Sequence, residues 1–288
     1  MFCKHCPKFV RNVPICPLCG DLCREYRVVA EKVARAEIQR SGFGINDFFS
    51  ALSYPLQHMS ALFTGALIYG FSLLVGATAS LVAWMIMFGC ISQTINHVAV
   101  GRFDRSFMSG FEFSDREDVF GPIFLGLGIT IVTWGPMIVF VGALLSGVVS
   151  LGHLDASDPT TLLVELLPYI PARTPLGVLF LLCLGWGLFY YPMALTVAGY
   201  TQSFSSVVNP LVGLDTIRRM GSTYFKAFAM VIVVQLIGLA GGAIPFAGPF
   251  IAGNFISAIF TFYFNLVIAC ILGRSLFKCA DRLDIRID

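Results

Sequence analysis

What this chain has little of is charge. Only 12% of its 288 residues are Asp, Glu, Lys or Arg, about half the ~25% of an ordinary soluble domain. Hydrophobic residues make up 57% and mean hydropathy is +0.80, which excludes a soluble domain and describes a polytopic membrane protein. The charges that exist avoid the middle of every apolar run. Proton relays, ion-coupled pumps and voltage sensors place ionisable residues there, so a charge-coupled transporter is not expected. No Ser/His/Asp nucleophile pattern, phosphate-cradling glycine loop or paired-carboxylate motif stands in a suitable context, and no enzyme is expected. Residues 1–44 hold eight Lys/Arg and no apolar run long enough for a signal peptide. Insertion is therefore expected to be directed by the first transmembrane helix.

What the chain does have is six apolar runs, near 58–78, 81–100, 121–149, 176–199, 227–246 and 249–272. Each is long enough to cross a ~30 Å hydrocarbon core. The fold class that follows is an all-α membrane protein, a six-helix transmembrane bundle over 58–272. Ala79-Ser80 joins the first two spans, and Pro245 to Pro249 turns the last two. Pro136 predicts a tilt or kink in the long third run. Six spans with a cytosolic N-terminus put Lys/Arg inside as eight in 1–44, three in 101–120, three in 200–226 and four in 273–288, leaving only Arg173 outside. The positive-inside rule then places both termini in the cytosol, in the plasma (inner) membrane, with 273–288 as a cytosolic tail. The external segment 150–175 reads as a lid or spacer.

Ahead of the spans come four closely spaced cysteines, in Cys3-Lys-His-Cys6 and Cys16-Pro-Leu-Cys19-Gly20. Zinc takes four tetrahedral ligands, and two Cys-x-x-Cys turns close that shell, with Gly20 permitting the tight turn at the second. Residues 1–23 are thus expected to form a zinc ribbon holding structural zinc on Cys3, Cys6, Cys16 and Cys19, with His5 and Cys23 as substitute ligands. Metal binding would supply the folding energy of so small a module, about 10–16 kcal/mol in comparable peptides. Thiolate ligands need a reducing compartment, which agrees with a cytosolic N-terminus. Lys8 and Arg11 are basic, but without basic–aromatic interleaving nucleic acid is not the expected partner. A cytosolic protein is, together with the lipid bilayer itself.

Residues 24–44 read as a charged helical stalk ending in a hinge at Ser41-Gly42-Phe43-Gly44. Residues 45–57 read as an amphipathic interfacial helix with Asn46-Asp47 as its N-cap and Ile45, Phe48, Phe49, Leu52 and Leu56 on its apolar face. Within the spans, Gln93, Asn96 and His97 cluster near the cytosolic end of the second, while Gln235, Asn254 and Asn265 are scattered. Interhelical hydrogen bonding is the plainer reading of these, a substrate contact the bolder one. Gly142-x-x-x-Ser146 and Gly238-x-x-x-Gly242 permit close helix approach, favouring internal packing over a homo-oligomer. Val100-Gly101-Arg102-Phe103 and Ala198-Gly199-Tyr200-Thr201 end the second and fourth spans alike, which hints at a parallel internal repeat. Asp115-Arg116-Glu117-Asp118 reads as a solvated helix start.

Ser50-Ala51-Leu52-Ser53-Tyr54-Pro55-Leu56, Gly101-Arg102, Phe111-Glu112-Phe113-Ser114-Asp115, Tyr191-Pro192-Met193-Ala194 and Asn209-Pro210-Leu211 ahead of Tyr224-Phe225-Lys226-Ala227 carry a resemblance. Over roughly 45–275 the chain resembles bacterial and archaeal polytopic membrane proteins of a family of unknown function with a Leu-x-Tyr-Pro start. Its head is similar to the zinc-ribbon modules ahead of many bacterial membrane domains, Yip-type proteins among them. Neither resemblance implies catalytic residues. The expected function is a non-enzymatic adaptor whose ribbon recruits a partner. The competing expectation is a permease or lipid-handling protein with the ribbon as regulatory cap, which would need a cavity reaching the midplane near Asn96, Gln235 or Asn265.

Overall fold

The computed structural model describes residues 36–39, 41–110, 116–150, 175–242, 250–283 and 285. Residues 36–39 are helical and 41–44 are not, as a Gly-containing hinge requires. From residue 45 the order is α1 (Ile45–Gln57), α2 (Met59–Val75), α3 (Ala77–Ala99), a 3-10 turn (Phe107–Gly110), α4 (Arg116–Ser150), α5 (Pro175–Thr201), α6 (Phe204–Val208), α7 (Pro210–Met220), α8 (Ser222–Gly242), α9 (Phe250–Lys278) and α10 (Ala280–Leu283). No strand occurs among the described residues. Five helices are long and apolar enough to cross a membrane, and six if α1 and α2, bent 74° to each other, make one broken span. This is an all-helical protein with the make-up of a multi-pass membrane bundle.

Element boundaries follow local chemistry. Gly76, with φ +131, carries the break between α2 and α3, a conformation L side chains rarely adopt. The joint therefore falls at Gly76, and Ala79 and Ser80 belong to the first turn of α3, where Ser80 Oγ donates to the carbonyls of Gly76 (3.0 Å) and Ser72 (3.2 Å). Asn209 caps α7 through its side chain, accepting from Leu211 N at 3.0 Å, with Pro210 at the first helical position; both are favoured there. Gly221, at φ +57, ends α7. Arg218 and Arg219 sit in its last turn, beside the negative end of the helix dipole. The helix α4 continues past both Pro122 and Pro136. The segment 245–249 and the external loop lie outside the described residues.

Cross-helix contacts fix the directions. Gly65 and Gly70 of α2 meet Phe262 and Phe255 of α9, and Trp186 of α5 donates to the Val132 carbonyl of α4 while Phe180 meets Phe140; both pairs run antiparallel. The C-terminal ends of α3, α5 and α9 come together, because Gly199 lies on Ile95 and Gly273 on Val98. The starts of α4 and α8 join them through Pro122 against Gly89 and Tyr224 against Phe189. From Gly44 on, the described Asp, Glu, Lys and Arg all gather at this one end.

That charged end is also the tight end. Residues 192–199 of α5 and 266–273 of α9 are buried on every side, as befits helices apolar all round. The glycines make this possible: a Cβ at Gly199 would overlap Ile95. Toward the other end the exposed side chains are large and apolar, including Phe71, Val75, Val139, Leu182 and Leu239. In a bilayer they would meet lipid tails.

Candidate functional site

The seat of α1 holds a shielded cluster of charged side chains. This helix turns its charge inward: Asp47, Ala51, Tyr54 and Pro55 are buried, whereas Ile45, Phe49 and Leu56 are exposed. Asp47 stands at N3, not at the N-cap as the sequence suggested. The cap is Gly44, whose backbone N–H donates to Asp47 Oδ2 at 3.1 Å. The other carboxylate oxygen, Oδ1, faces Arg274 (3.3 Å) and Lys278 (3.8 Å) on the last turns of α9. The three side chains are 9%, 18% and 5% exposed, so the triad is shielded from solvent. The Arg274 guanidinium also lies 4.9 Å over the Phe103 ring, a cation–π contact. Tyr54 Oη donates to the Arg105 carbonyl at 2.8 Å, and the His58 ring approaches the Phe103 carbonyl at 3.5 Å. The segment between α3 and the 3-10 turn is thereby clamped between α1 and α9.

Deeper along α9, Tyr263 Oη donates to the Leu52 carbonyl at 2.7 Å. Pro55 stands within the same helix and, having no N–H, leaves the Ala51 carbonyl four residues back without its helical donor, so the Tyr263 bond to the adjacent carbonyl reinforces a turn that has lost one of its own. Tyr263→Phe should lower thermal stability in detergent by about 1 kcal/mol, read as a melting shift against the wild-type chain; no shift would mean the bond contributes nothing net.

A second feature lies on the other side of the charged end. A cleft of about 450 Å³ opens between α3, α4 and the end of α5, lined by Gly89, Gln93, Phe120, Gly121, Phe124 and Gln202 among others. Gln202 follows α5 at φ +49, a left-handed conformation unusual for a side-chain-bearing residue; such backbone costs about 1–2 kcal/mol. Its amide holds it there, Nε2 donating to Ser92 Oγ (2.9 Å) and to the Gly199 carbonyl (2.8 Å). Ser92 Oγ in turn donates to the Ala198 carbonyl. Gln93, one residue on, has its Oε1 buried with no hydrogen-bond partner.

The polar residues singled out from sequence divide accordingly. Gln93 lines the cleft. Asn96 and His97 do not line it, and His97 Nδ1 is buried and unbonded. Asn265 Nδ2 donates to the Thr261 carbonyl of its own helix at 2.8 Å. Thr94, Thr130, Thr133, Thr196 and Thr201 likewise each donate to the carbonyl four residues back. Gly238 does pack internally, against Phe264 at 3.3 Å, whereas Gly142 faces open space. Among the described residues no group of three or more His, Cys, Asp and Glu is placed to hold a metal. Cys3, Cys6, Cys16, Cys19, Cys23 and His5 lie outside the described residues. Cys90, Cys183, Cys270 and Cys279 are free thiols.

The sequence reading missed Asp47, Arg274, Lys278 and Gln202 as partners. The signal available was a lone acid in an apolar helix and two cations directly after an apolar run. The class defined by these features is an all-helical membrane bundle with one charged, tightly packed end. Comparison with protein-family models, curated proteins and solved structures finds no match for the chain.

Proposed function

We propose that this protein is a non-enzymatic membrane adaptor: a cytosolic zinc ribbon on Cys3, Cys6, Cys16 and Cys19 recruits a protein partner, and a six-span bundle anchors it. The charged end of the bundle faces the cytosol in this reading, because it carries the lysines and arginines that the positive-inside rule assigns there. α1, with its apolar face outward and its charge turned in, lies in the cytosolic leaflet. The family resemblance over 45–275 and the ribbon's similarity to modules of bacterial membrane proteins are part of the same proposal.

The observation that carries it is the hydrogen bonding inside the spans. The threonine hydroxyls and the Asn265 amide close on their own helices. Among the described residues these donors are engaged within their own helices, as side chains that serve packing are, and not turned toward a shared polar path. That favours an anchor over a permease.

The test replaces Cys16 and Cys19 by Ser in the full-length chain, purified in mild detergent. Native mass spectrometry should show one zinc and a stoichiometric cytosolic protein on the wild type and neither on the variant, with the bundle's melting temperature unchanged. A wild type that is reduced, folded and free of zinc would sink the proposal.

A further inference from the structure

Between the end of α5 and the start of α8 the chain stays at the charged end and lays down α7. Two tyrosines of α5 hold the inner face of this helix. Tyr190 Oη donates to the Pro210 carbonyl at 3.3 Å, and the Tyr200 and Thr216 hydroxyls lie 3.1 Å apart. The Tyr190 ring fits against Gly213, where a Cβ would overlap it. α7 is thus seated in one rotational setting, and its outer face is fixed. Gly213, Thr216 and Met220 turn inward. Leu211, Leu214 and Arg218 recur at helical spacing on the outside, and all three are exposed, Leu211 by 70%. Phe225 and Lys226, near the start of α8, are exposed as well. Only 22% of the α8 span is buried, the lowest share of the five, so it is the span most open to lipid.

This outer face is apolar and basic at once. Residues 202–226 hold Arg218, Arg219 and Lys226 against a single acid, Asp215. Asp215 is taken by Arg219 at 2.8 Å. Among the described residues no acid lies within ion-pair distance of Arg218 or Lys226. Leucine and phenylalanine beside exposed cations, at the end of a membrane bundle, make an interfacial surface. Apolar side chains enter the acyl boundary, and the long cationic ones reach the headgroups. A zwitterionic headgroup brings a cation of its own and leaves Arg218 and Lys226 uncompensated. A phosphate without such a cation compensates them, and each Lys or Arg near an anionic surface is worth roughly a factor of five.

We propose that the outer face of α7 and the start of α8 form a contact site for anionic phospholipid. Arg218 and Lys226 take the phosphate oxygens, while Leu211, Leu214 and Phe225 lie among the upper acyl carbons. Tyr190 and Tyr200 set the angle at which the site meets the bilayer. The inference stands apart from the ribbon's role, since it asks only that the bundle sit in a membrane.

The experiment titrates full-length protein in mild non-ionic detergent with dioleoyl phosphatidylglycerol and, separately, dioleoyl phosphatidylcholine, counting bound lipid by native mass spectrometry. Phosphatidylglycerol should bind at least about tenfold more tightly. The Arg218→Gln, Lys226→Gln chain should lose that preference, with little change in its melting temperature without lipid, because both side chains are exposed. Cations that serve only the fold, for instance at the negative end of α7, would lower the melting temperature when replaced and leave the preference intact. Arg105→Gln with Arg282→Gln removes equal charge from exposed cations elsewhere at the charged end and should keep the preference. Equal affinity of the wild type for the two lipids overturns the inference. So does a preference that survives Arg218→Gln with Lys226→Gln, or one lost equally in the Arg105→Gln, Arg282→Gln control. The Cys16→Ser, Cys19→Ser chain should bind phosphatidylglycerol as the wild type does, which separates failure here from failure of the adaptor reading.

Discussion

Asp47→Ala should lower the stability of the bundle by about 3–5 kcal/mol, the penalty typical of removing one partner from a buried ion cluster. The carboxylate has two tasks. Oδ2 accepts the Gly44 N–H that starts α1, and Oδ1 faces Arg274 and Lys278. Without it, two cations on adjacent turns of α9 face each other across shielded space, with the Phe103 ring over one of them. Asp47→Asn keeps an acceptor for Gly44 and removes only the charge, so it should show most of the loss. The triple change Asp47→Leu, Arg274→Met and Lys278→Met should recover most of it, because apolar side chains of similar volume often replace a buried ion cluster without loss. Melting temperatures in detergent decide this. An Asp47→Ala chain as stable as wild type would show the cluster to be incidental.

Gly199→Val is the second large effect expected. The added Cβ would overlap Ile95 and come to 3.4 Å from the Ser92 carbonyl. Ile95 is fully buried and Ser92 is already bonded to Ala198 and Gln202, so neither wall can retreat. The loss should exceed the ~1–3 kcal/mol of ordinary overpacking and should disturb Gln202 as well. Gly142→Val is the control. Nothing lies within 4 Å of its Cβ position, and a change within about 0.5 kcal/mol is expected. Similar losses at both positions would mean that glycine acts through helix geometry and not through the α3–α5 crossing.

These two residues also measure how far the sequence could be read. Long apolar runs mark their helices because ~20 residues without charge have few other uses, and the spans assigned from them lie within several residues of the helices observed. α1 was legible from Ile45, Phe49 and Leu56 at helical spacing. Which way its polar face turned was not, since that depends on Arg274 and Lys278, and the apolar run alone ends the last span at 272 while the helix continues to Lys278. The break at Gly76 was misplaced by a few residues, because hydropathy does not register a positive φ. Gly199 and Gly142 look alike in sequence and differ only in what stands opposite them. The cleft was half visible, in Gln93; its other amide, on Gln202, follows α5 in a backbone conformation that no local signal announces.

The contact between Asp47 and Arg274 joins residues 227 positions apart, and this sets an order of events during synthesis. α1 leaves the ribosome first of the membrane helices, yet its charged partners are among the last residues made. Through most of translation its carboxylate has no guanidinium beside it, and the Leu52 carbonyl no tyrosine. Until then the contacts available to α1 are those made from its own turn by Tyr54 and His58 to the carbonyls of Arg105 and Phe103. The seat of α1 is therefore complete only when the last long helix is made, and a chain cut short before Tyr263 would lack every α9 partner of Leu52 and Asp47 described above.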